Sequence, residues 1–329
     1  MKVLVTGGAG YIGSHTVAEL QRQNYEVVVF DNLVCGHKEA ISCPLIVGDL
    51  LKKDEIKKVF QENKFDGVIH FAAYALAGES MKEPAKYFEN NLQGGLNLLE
   101  AMKEGGVNKI VFSSTCAIYG YPEKLPVVEE EGKKPVSVYG ESKLMFETIL
   151  HWYDQLFSVK NVCLRYFNAS GDSLDGSIGE DHRPETHIIP IAMQAVLGQR
   201  EKFSIFGEDY NTPDGTCIRD YIHVLDLASA HIKALEYLSK EGKSNYFNVG
   251  TGRGYSNKEI LNMVKEVTGV DFPVEVGPRR EGDPDAIFAD SSKAKTVLGW
   301  EPEHSDLKTI IESAWKWHKN HPQGYASDM

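Results

Sequence analysis

Met1 to Gly13 reads MKVLVTGGAGYIG. Val3, Leu4, Val5 and Thr6 make a short apolar or β-branched run. Gly7, Gly8 and Gly10 follow, and Tyr11-Ile12-Gly13 opens a helical pattern that ends near Gln23. The order predicts a buried strand, a tight glycine turn and a helix N-terminus. Such a turn suits a phosphate, because the helix start offers unpaired N–H groups and a positive dipole end, while the glycines remove side chains that would hold the anion away. The spacing satisfies GxGxxG from Gly8 and GxxGxxG through Gly7, Gly10 and Gly13.

Glycine turns also occur without a ligand, so the flanking sequence decides. A second apolar run, Tyr25 to Phe30, ends in Asp31. A carboxylate about 20 residues beyond the glycines can accept hydrogen bonds from the adenosine ribose hydroxyls and would repel a 2′-phosphate. NAD is thereby favoured over NADP.

The same alternation continues outward from this unit. Leu45 to Val47 leads into Gly48-Asp49-Leu50, a charged helix spans Lys53 to Asn63, and Gly67 to Phe71 is the next apolar run. A helix from about Pro84 to Glu104 precedes Lys109 to Ser113. A surface loop covers Gly120 to Lys134, a strong helix runs from Val138 through Phe157, and Asn161 to Tyr166 leads into Asn168. Repeated β-α order implies an α/β fold of the Rossmann type, a doubly wound parallel sheet with helices on both faces. Ligands then sit beyond the carboxyl ends of the strands, where Asp31-Asn32, Asp49-Leu50, Phe71-Ala72-Ala73 and Ser113-Ser114-Thr115 fall.

Beyond Asn168 the rhythm breaks. Ala169 to Glu185 is polar and aperiodic, followed by a helix near Ile188 to Gly198, a strand near Phe203 to Phe206, the stretch Arg219 to Val224 and a long helix to about Leu238. Phe247 to Gly250 reads as a buried strand returning to the main sheet. Two or three short helices, a strand at Val274 to Val276 and a frayed terminus complete the chain. The expected division is a dinucleotide-binding domain over 1–168, joined by about 225–250, and a smaller mixed α/β substrate-binding domain over 169–224 and 251–329.

With 329 residues and 42% apolar content the chain can bury a sizeable core. Its net charge of −12 argues against nucleic acid or an anionic membrane as partner. The cysteines (Cys35, Cys43, Cys116, Cys163, Cys217) number five, lie far apart and form no CxxC, so neither a disulfide framework nor a zinc site is expected. With no leader pattern and no apolar run near 18 residues, the chain reads as cytoplasmic.

Tyr139-Gly140-Glu141-Ser142-Lys143 stands in the helix after the surface loop. Tyrosine and lysine four apart share one helical face. A phenol titrates near about pH 10, and a neighbouring ammonium together with a cationic nicotinamide favours the phenolate. Tyr139 can then take a proton from a substrate hydroxyl while hydride leaves the carbon.

The ordered set TGGAGYIG, Asp31-Asn32, Gly48-Asp49-Leu50, HFAA (from His70), SSTCAIYG (from Ser113), YGESK (from Tyr139), RYFN (from Arg165), DGTCIRDYIHV (from Asp214) and RREGDPDAIFAD (from Arg279) resembles the extended short-chain dehydrogenase/reductases that act on nucleotide sugars. The similarity is to their UDP-sugar 4-epimerases and runs nearly end to end. It implies tightly held NAD that accepts hydride from the sugar C4 while Tyr139 removes the C4 hydroxyl proton. A 4-keto sugar then turns over about its bond to the diphosphate and receives hydride on its other face. Thr115 would hydrogen-bond the hydroxyl, and Lys143 would also hold the nicotinamide ribose. The family's cofactor contacts map onto Gly7, Gly10, Tyr11, Ile12, Gly13, Asp31, Asn32, Asp49, Leu50, Phe71, Ala72, Asn91, Ser113, Tyr139, Lys143 and Phe167.

For the nucleotide sugar the same likeness implies Arg219 and Arg280 on the diphosphate, each offering a forked pair of donors. Asn168, His187, Ser204, Phe206 and Asp283 match positions around the diphosphate, uracil and ribose, beside Thr115 and Tyr139 at the sugar. His182 and His187 lie five apart, but no metal is expected: no further ligand is read beside them and the implied chemistry needs none. A homodimer, in which two long helices of the main domain pair across the interface, follows from family habit.

Departures narrow the reading. Ala75 stands where many epimerases carry lysine, Thr115 where serine is commonest, and Ile287 where bulk bears on whether an N-acetylated sugar fits. Sugar dehydratases place Asp-Glu after the threonine, and decarboxylases similarly place a glutamate where Ala117 stands. Here Cys116 and Ala117 cannot move protons, which favours oxidation and return at C4. A 4-epimerase of a UDP-N-acetylhexosamine, UDP-pentose or UDP-hexuronate remains an alternative. A non-catalytic NAD-binding regulator is disfavoured by the presence of both Tyr139 and Lys143.

Overall fold

The computed structural model describes residues 1–280 and 282–325; the frayed terminus expected after them lies outside the described residues. The first half of the chain runs β1 (Lys2–Thr6), α1 (Tyr11–Arg22), β2 (Glu26–Asp31), β3 (Leu45–Val47), α2 (Lys53–Glu62), β4 (Gly67–His70), α3 (Ala77–Ser80), α4 (Pro84–Phe88), α5 (Gly94–Glu104), β5 (Lys109–Thr115), α6 (Val138–Phe157) and β6 (Lys160–Tyr166). Then follow β7 (Asn168–Ser170), α7 (Ile188–Val196), β8 (Phe203–Phe206), β9 (Ile218–Arg219), β10 (Tyr221–His223), α8 (Val224–Glu241) and β11 (Asn245–Val249). The last part holds β12 (Tyr255–Ser256), α9 (Asn257–Thr268), β13 (Val274–Gly277), β14 (Ala286–Ile287) and α10 (Leu307–Asn320).

Seven strands form one sheet in the order β11-β6-β5-β4-β1-β2-β3, every neighbour parallel. Alternation along the strands sends side chains to opposite faces. Val3 and Val5 join Val17 and Leu20 of α1 and Leu227 and Leu235 of α8 in one core, whereas Leu4 joins Ile56 of α2, Leu98 of α5 and Phe146 of α6 in the other. The chain leaves β1 toward β2 and β3 on one side and toward β4, β5, β6 and β11 on the other. The junction of β1 with β4 is therefore the point where the strand order reverses and a crevice opens. A third core, with Ile189 of α7, Ile205 of β8, Ile260 of α9 and Ile310 of α10, sits apart from the large sheet. The smaller sheets are β10-β7, β12-β9-β14 and β13-β8.

The helix expected from Pro84 to Glu104 is not continuous. α4 and α5 are separated by a single π turn over Glu89–Gln93. Wide turns of this kind are frequent at functional sites, and here Asn91 is turned into the protein. The stretch Arg219 to Val224 is also split, at Asp220. Its fully buried carboxylate accepts from Thr251 N and Oγ1 (2.9 and 2.7 Å), Gly252 N (3.2 Å) and Ala289 N (3.1 Å). One side chain thus fastens the chain leaving β11 to the segment carrying β9 and β14.

Candidate active site

The turn after β1 shows what each glycine does. Gly7 adopts φ +72°, and a Cβ there would collide with the backbone of Ala72 at the end of β4; at Gly13 one would collide with the Gly7 carbonyl. Both are required by close packing at the strand-order reversal. Gly10 differs, since a Cβ would meet nothing nearer than the Gly7 carbonyl at 3.5 Å. Its open side faces away from the packed turn. Gly10 is also the N-cap of α1, with no side-chain cap and no acidic residue in the first turn. The free N–H groups and dipole end fit a pyrophosphate.

The residues expected on the adenosine side end β2 and β3. Asp31 is buried, with Oδ2 accepting from Ala9 N (2.9 Å) and Oδ1 from Leu33 N (2.8 Å). Each oxygen keeps a second lone pair for a ribose hydroxyl. Burial raises its pKa, against those two amides. Asn32 reaches Asp49 across the rim (3.4 Å), and Leu50 is held by Asn97, which donates to its carbonyl (2.8 Å). Ile12 packs into the core behind α1, and Tyr11 donates its phenol to the Gly171 carbonyl, tying α1 to the segment after β7. Phe71 and Ala72 continue β4, both amides bonded to the Thr6 carbonyl (2.8 and 3.1 Å). The residues present fit NAD.

α6 brings Tyr139 and Lys143 to the carboxyl end of β5. Its start is fixed by Ser137, whose side chain caps Gly140 N (3.1 Å), and by Ser80 of α3, which accepts from Tyr139 N (3.0 Å). Asn91 donates to Ser142 (3.1 Å) and to the Tyr74 carbonyl (3.1 Å), bracing α6 against the π turn. Lys143 is buried, donates to the Ser113 carbonyl (2.8 Å), and has its pKa lowered to about 7 by burial. Thr115 is buried at the end of β5, with its hydroxyl accepting from Ala117 N (3.1 Å). The Ser113 hydroxyl bonds the Tyr166 phenol at the end of β6, next to Phe167.

Lys143 lies 5.9 Å from the Tyr139 ring centre and donates one of its ammonium N–H groups to the Ser113 carbonyl. Burial raises the Tyr139 pKa above its ordinary value, with Thr115 pulling the other way. Positive charge beside the ring, from the Lys143 ammonium or a cationic nicotinamide, would bring the phenol into range.

Across the crevice, Arg219 and Arg280 converge on Asp283, at 3.4 and 3.0 Å. Arg219 Nη1 donates to the Ile218 and Pro284 carbonyls (2.9 and 2.8 Å), while its buried Nη2 makes no hydrogen bond. A buried guanidinium donor that faces a carboxylate at 3.4 Å without a hydrogen bond can take an anion's oxygen. Arg280 also lies over the half-exposed Phe206 ring, 5.9 Å from its centre. Asn168 is fixed by the Asp220 carbonyl, accepting from its Nδ2 (2.9 Å). Ser204 instead bonds Glu275 (2.7 Å) on the exposed β8-β13 pair. Ile287 pairs with Arg219 in the sheet and packs with Phe167, Ile118 and Val127.

His187 also faces a second group of side chains. Its Nδ1 lies 2.6 Å from Glu180, and Glu180, His182, Glu185 and His187 gather as one group. The expectation that the two histidines have no further ligand beside them is overturned: both glutamates lie within the same eight residues and fold onto them.

With this geometry in place, the likeness can be made specific. The chain belongs to the NAD dependent epimerase/dehydratase family, whose profile matches residues 3–250. It is 53% identical over 329 residues to the UDP-glucose 4-epimerase of Streptococcus mutans, covering 99% of each chain. It is 51% identical over 327 residues to that of Lacticaseibacillus casei, again covering 99% of each. A crystal structure of UDP-glucose 4-epimerase from Bifidobacterium longum in complex with NAD+ and UDP superposes with a TM-score of 0.94 at 38% identity, over 99% of this chain and 100% of that one.

Proposed function

We propose that this chain is a UDP-glucose 4-epimerase, interconverting UDP-glucose and UDP-galactose by reversible oxidation at C4 on NAD that stays bound. The observation that carries the reading is the convergence of Tyr139, Lys143 and Thr115 at the carboxyl ends of the strands, beside the glycine turn and Asp31. Bound NAD supplies the acceptor that takes a hydride and returns it. Tyr139 Oη is the base for the C4 hydroxyl proton in one half of the cycle and the acid that restores it in the other. Thr115 orients that hydroxyl, Lys143 holds the nicotinamide ribose, and Arg219 with Arg280 holds the diphosphate while the sugar turns. Cys116 and Ala117 leave no acid or base for elimination, which supports plain inversion over dehydration.

The body built on the seven-stranded sheet, 1–168 with 225–250, would hold NAD, and 169–224 with 251–329 the UDP-sugar. Purified protein should convert UDP-galactose to UDP-glucose with no NAD added, in a panel that also contains UDP-N-acetylhexosamines, UDP-pentoses and UDP-hexuronates. Conversion of another UDP-sugar alone would reassign the substrate. No conversion by cofactor-loaded protein would end the epimerase reading.

A homodimer is supported by α6, on which Met145, Trp152 and Leu156 are 40%, 57% and 66% exposed along one face. Three exposed apolar side chains at that spacing suit a second copy of the same helix. Light scattering should give twice the 36.7 kDa chain mass, and Trp152→Glu should halve it; a monomer before substitution removes the interface. Among the described residues no helix is long and apolar enough to cross a membrane, and all five cysteines are unpaired, which suits a reducing cytoplasm.

A further inference from the structure

Glu180, His182, Glu185 and His187 lie on the segment between β7 and α7, and each brings one ligand atom to within 4.8 Å of the others. His187 Nδ1 stands 2.6 Å from Glu180 Oε1 and 3.5 Å from Glu185 Oε1, and His182 Nδ1 stands 3.1 Å from Glu180 Oε1 and 3.8 Å from Glu185 Oε2. Both glutamate side chains are 3% exposed. Yet Glu180 Oε1 and His182 Nδ1, fully buried, make no hydrogen bond. Their spacing is that of bonded atoms and their alignment is not. Ligands held at about 2.0–2.1 Å around a tetrahedral ion are separated by roughly 3.3–3.5 Å, in the middle of the observed distances.

Two buried carboxylates require two positive charges nearby. In the metal-free chain the two imidazoles stand against them at 2.6–3.8 Å, and a divalent cation carries the charge that the two carboxylates require.

We propose that Glu180, His182, Glu185 and His187 form a divalent-cation site, selective for Zn2+ by its two imidazole and two carboxylate donors. The ion clips together the segment that Tyr11 ties to α1 and the start of α7, where His187 is the N-cap. It is structural with respect to the sugar chemistry. His187 coordinates through Nδ1, and its ring, half exposed, keeps Nε2 for a ligand in the crevice.

The NAD-loaded protein, stripped with a chelator and dialysed, is titrated with Zn2+ alone by calorimetry in buffers of differing ionisation enthalpy. The result expected is one Zn2+ per chain, with affinity that rises with pH as metal and protons compete for the same donors. His182→Gln should weaken binding by roughly 100-fold in a variant whose melting confirms its fold. Less than one ion per chain or unchanged affinity in His182→Gln overturns the site. Should that variant fail to fold, stoichiometry in the unsubstituted protein decides alone.

Discussion

Tyr139→Phe gives a folded protein that keeps its NAD and interconverts UDP-glucose and UDP-galactose at least about 10³-fold more slowly, within the range that general acid–base groups contribute. The substitution removes one oxygen and leaves the ring. Nothing that positions α6 depends on that oxygen: Ser80 and Ser137 act on backbone amides, and Asn91 acts through Ser142. Cofactor retention should therefore be unaffected, and absorbance of the bound nucleotide after gel filtration checks it. Burial disfavours the phenolate, so the base form is reached only as pH rises or as positive charge is placed beside it. The turnover of unsubstituted protein should accordingly climb with pH on its acid side, and the residual rate of Tyr139→Phe should lose that climb. A variant within tenfold of the unsubstituted rate would take Tyr139 out of the mechanism and leave Thr115 as the proton-handling group.

The placement of Tyr139 was legible in the sequence because its determinants are local. α6 runs from Val138 to Phe157 as expected from periodicity, and the structure shows why its ends are sharp: Ser137 caps the first turn, and Ser158 takes a left-handed conformation at φ +57°. The glycine turn was legible for the same reason, since the strand, the turn and the helix are contiguous. What failed to show is whatever depends on partners far along the chain. The π turn that rotates Asn91 inward leaves no mark on periodicity, and Ser80 lies 59 residues from the amide it accepts from. Asp220 reads as one acidic residue in an apolar stretch until Thr251, Gly252 and Ala289 close on it. The four-residue group at Glu180 is a different case. Its spacing, Glu-x-His-x-x-Glu-x-His, was visible in the chain, but it matches neither a helix nor a strand period, so only the folded loop shows the four donors on one centre.

Arg219→Met should lower the affinity for UDP and UDP-sugars by about 10- to 100-fold, the loss of one charge-assisted hydrogen bond worth roughly 1.5–3 kcal/mol, while NAD stays bound. Methionine keeps much of the buried length of the side chain, so the effect reports charge and hydrogen bonding more than packing. Three of the guanidinium's interactions are internal, with the Ile218 and Pro284 carbonyls and with Asp283. These hold the β9-β14 region and would destabilise the variant somewhat when lost. Nη2, buried and without a hydrogen bond, faces Asp283 at 3.4 Å, and it is the donor that a diphosphate oxygen can satisfy. Lost nucleotide-sugar affinity with retained NAD therefore separates the two ligand sites along the proposed division of the chain. Asp283 supplies a second readout. It neutralises Arg219 and Arg280 together in the ligand-free protein, so Asp283→Asn should leave both arginines more available to the diphosphate and weaken UDP binding far less than Arg219→Met. Calorimetric titration of UDP into both variants makes the comparison, with thermal melting as the control for folding. Equal UDP affinity in Arg219→Met and the unsubstituted protein would place the diphosphate away from Arg219.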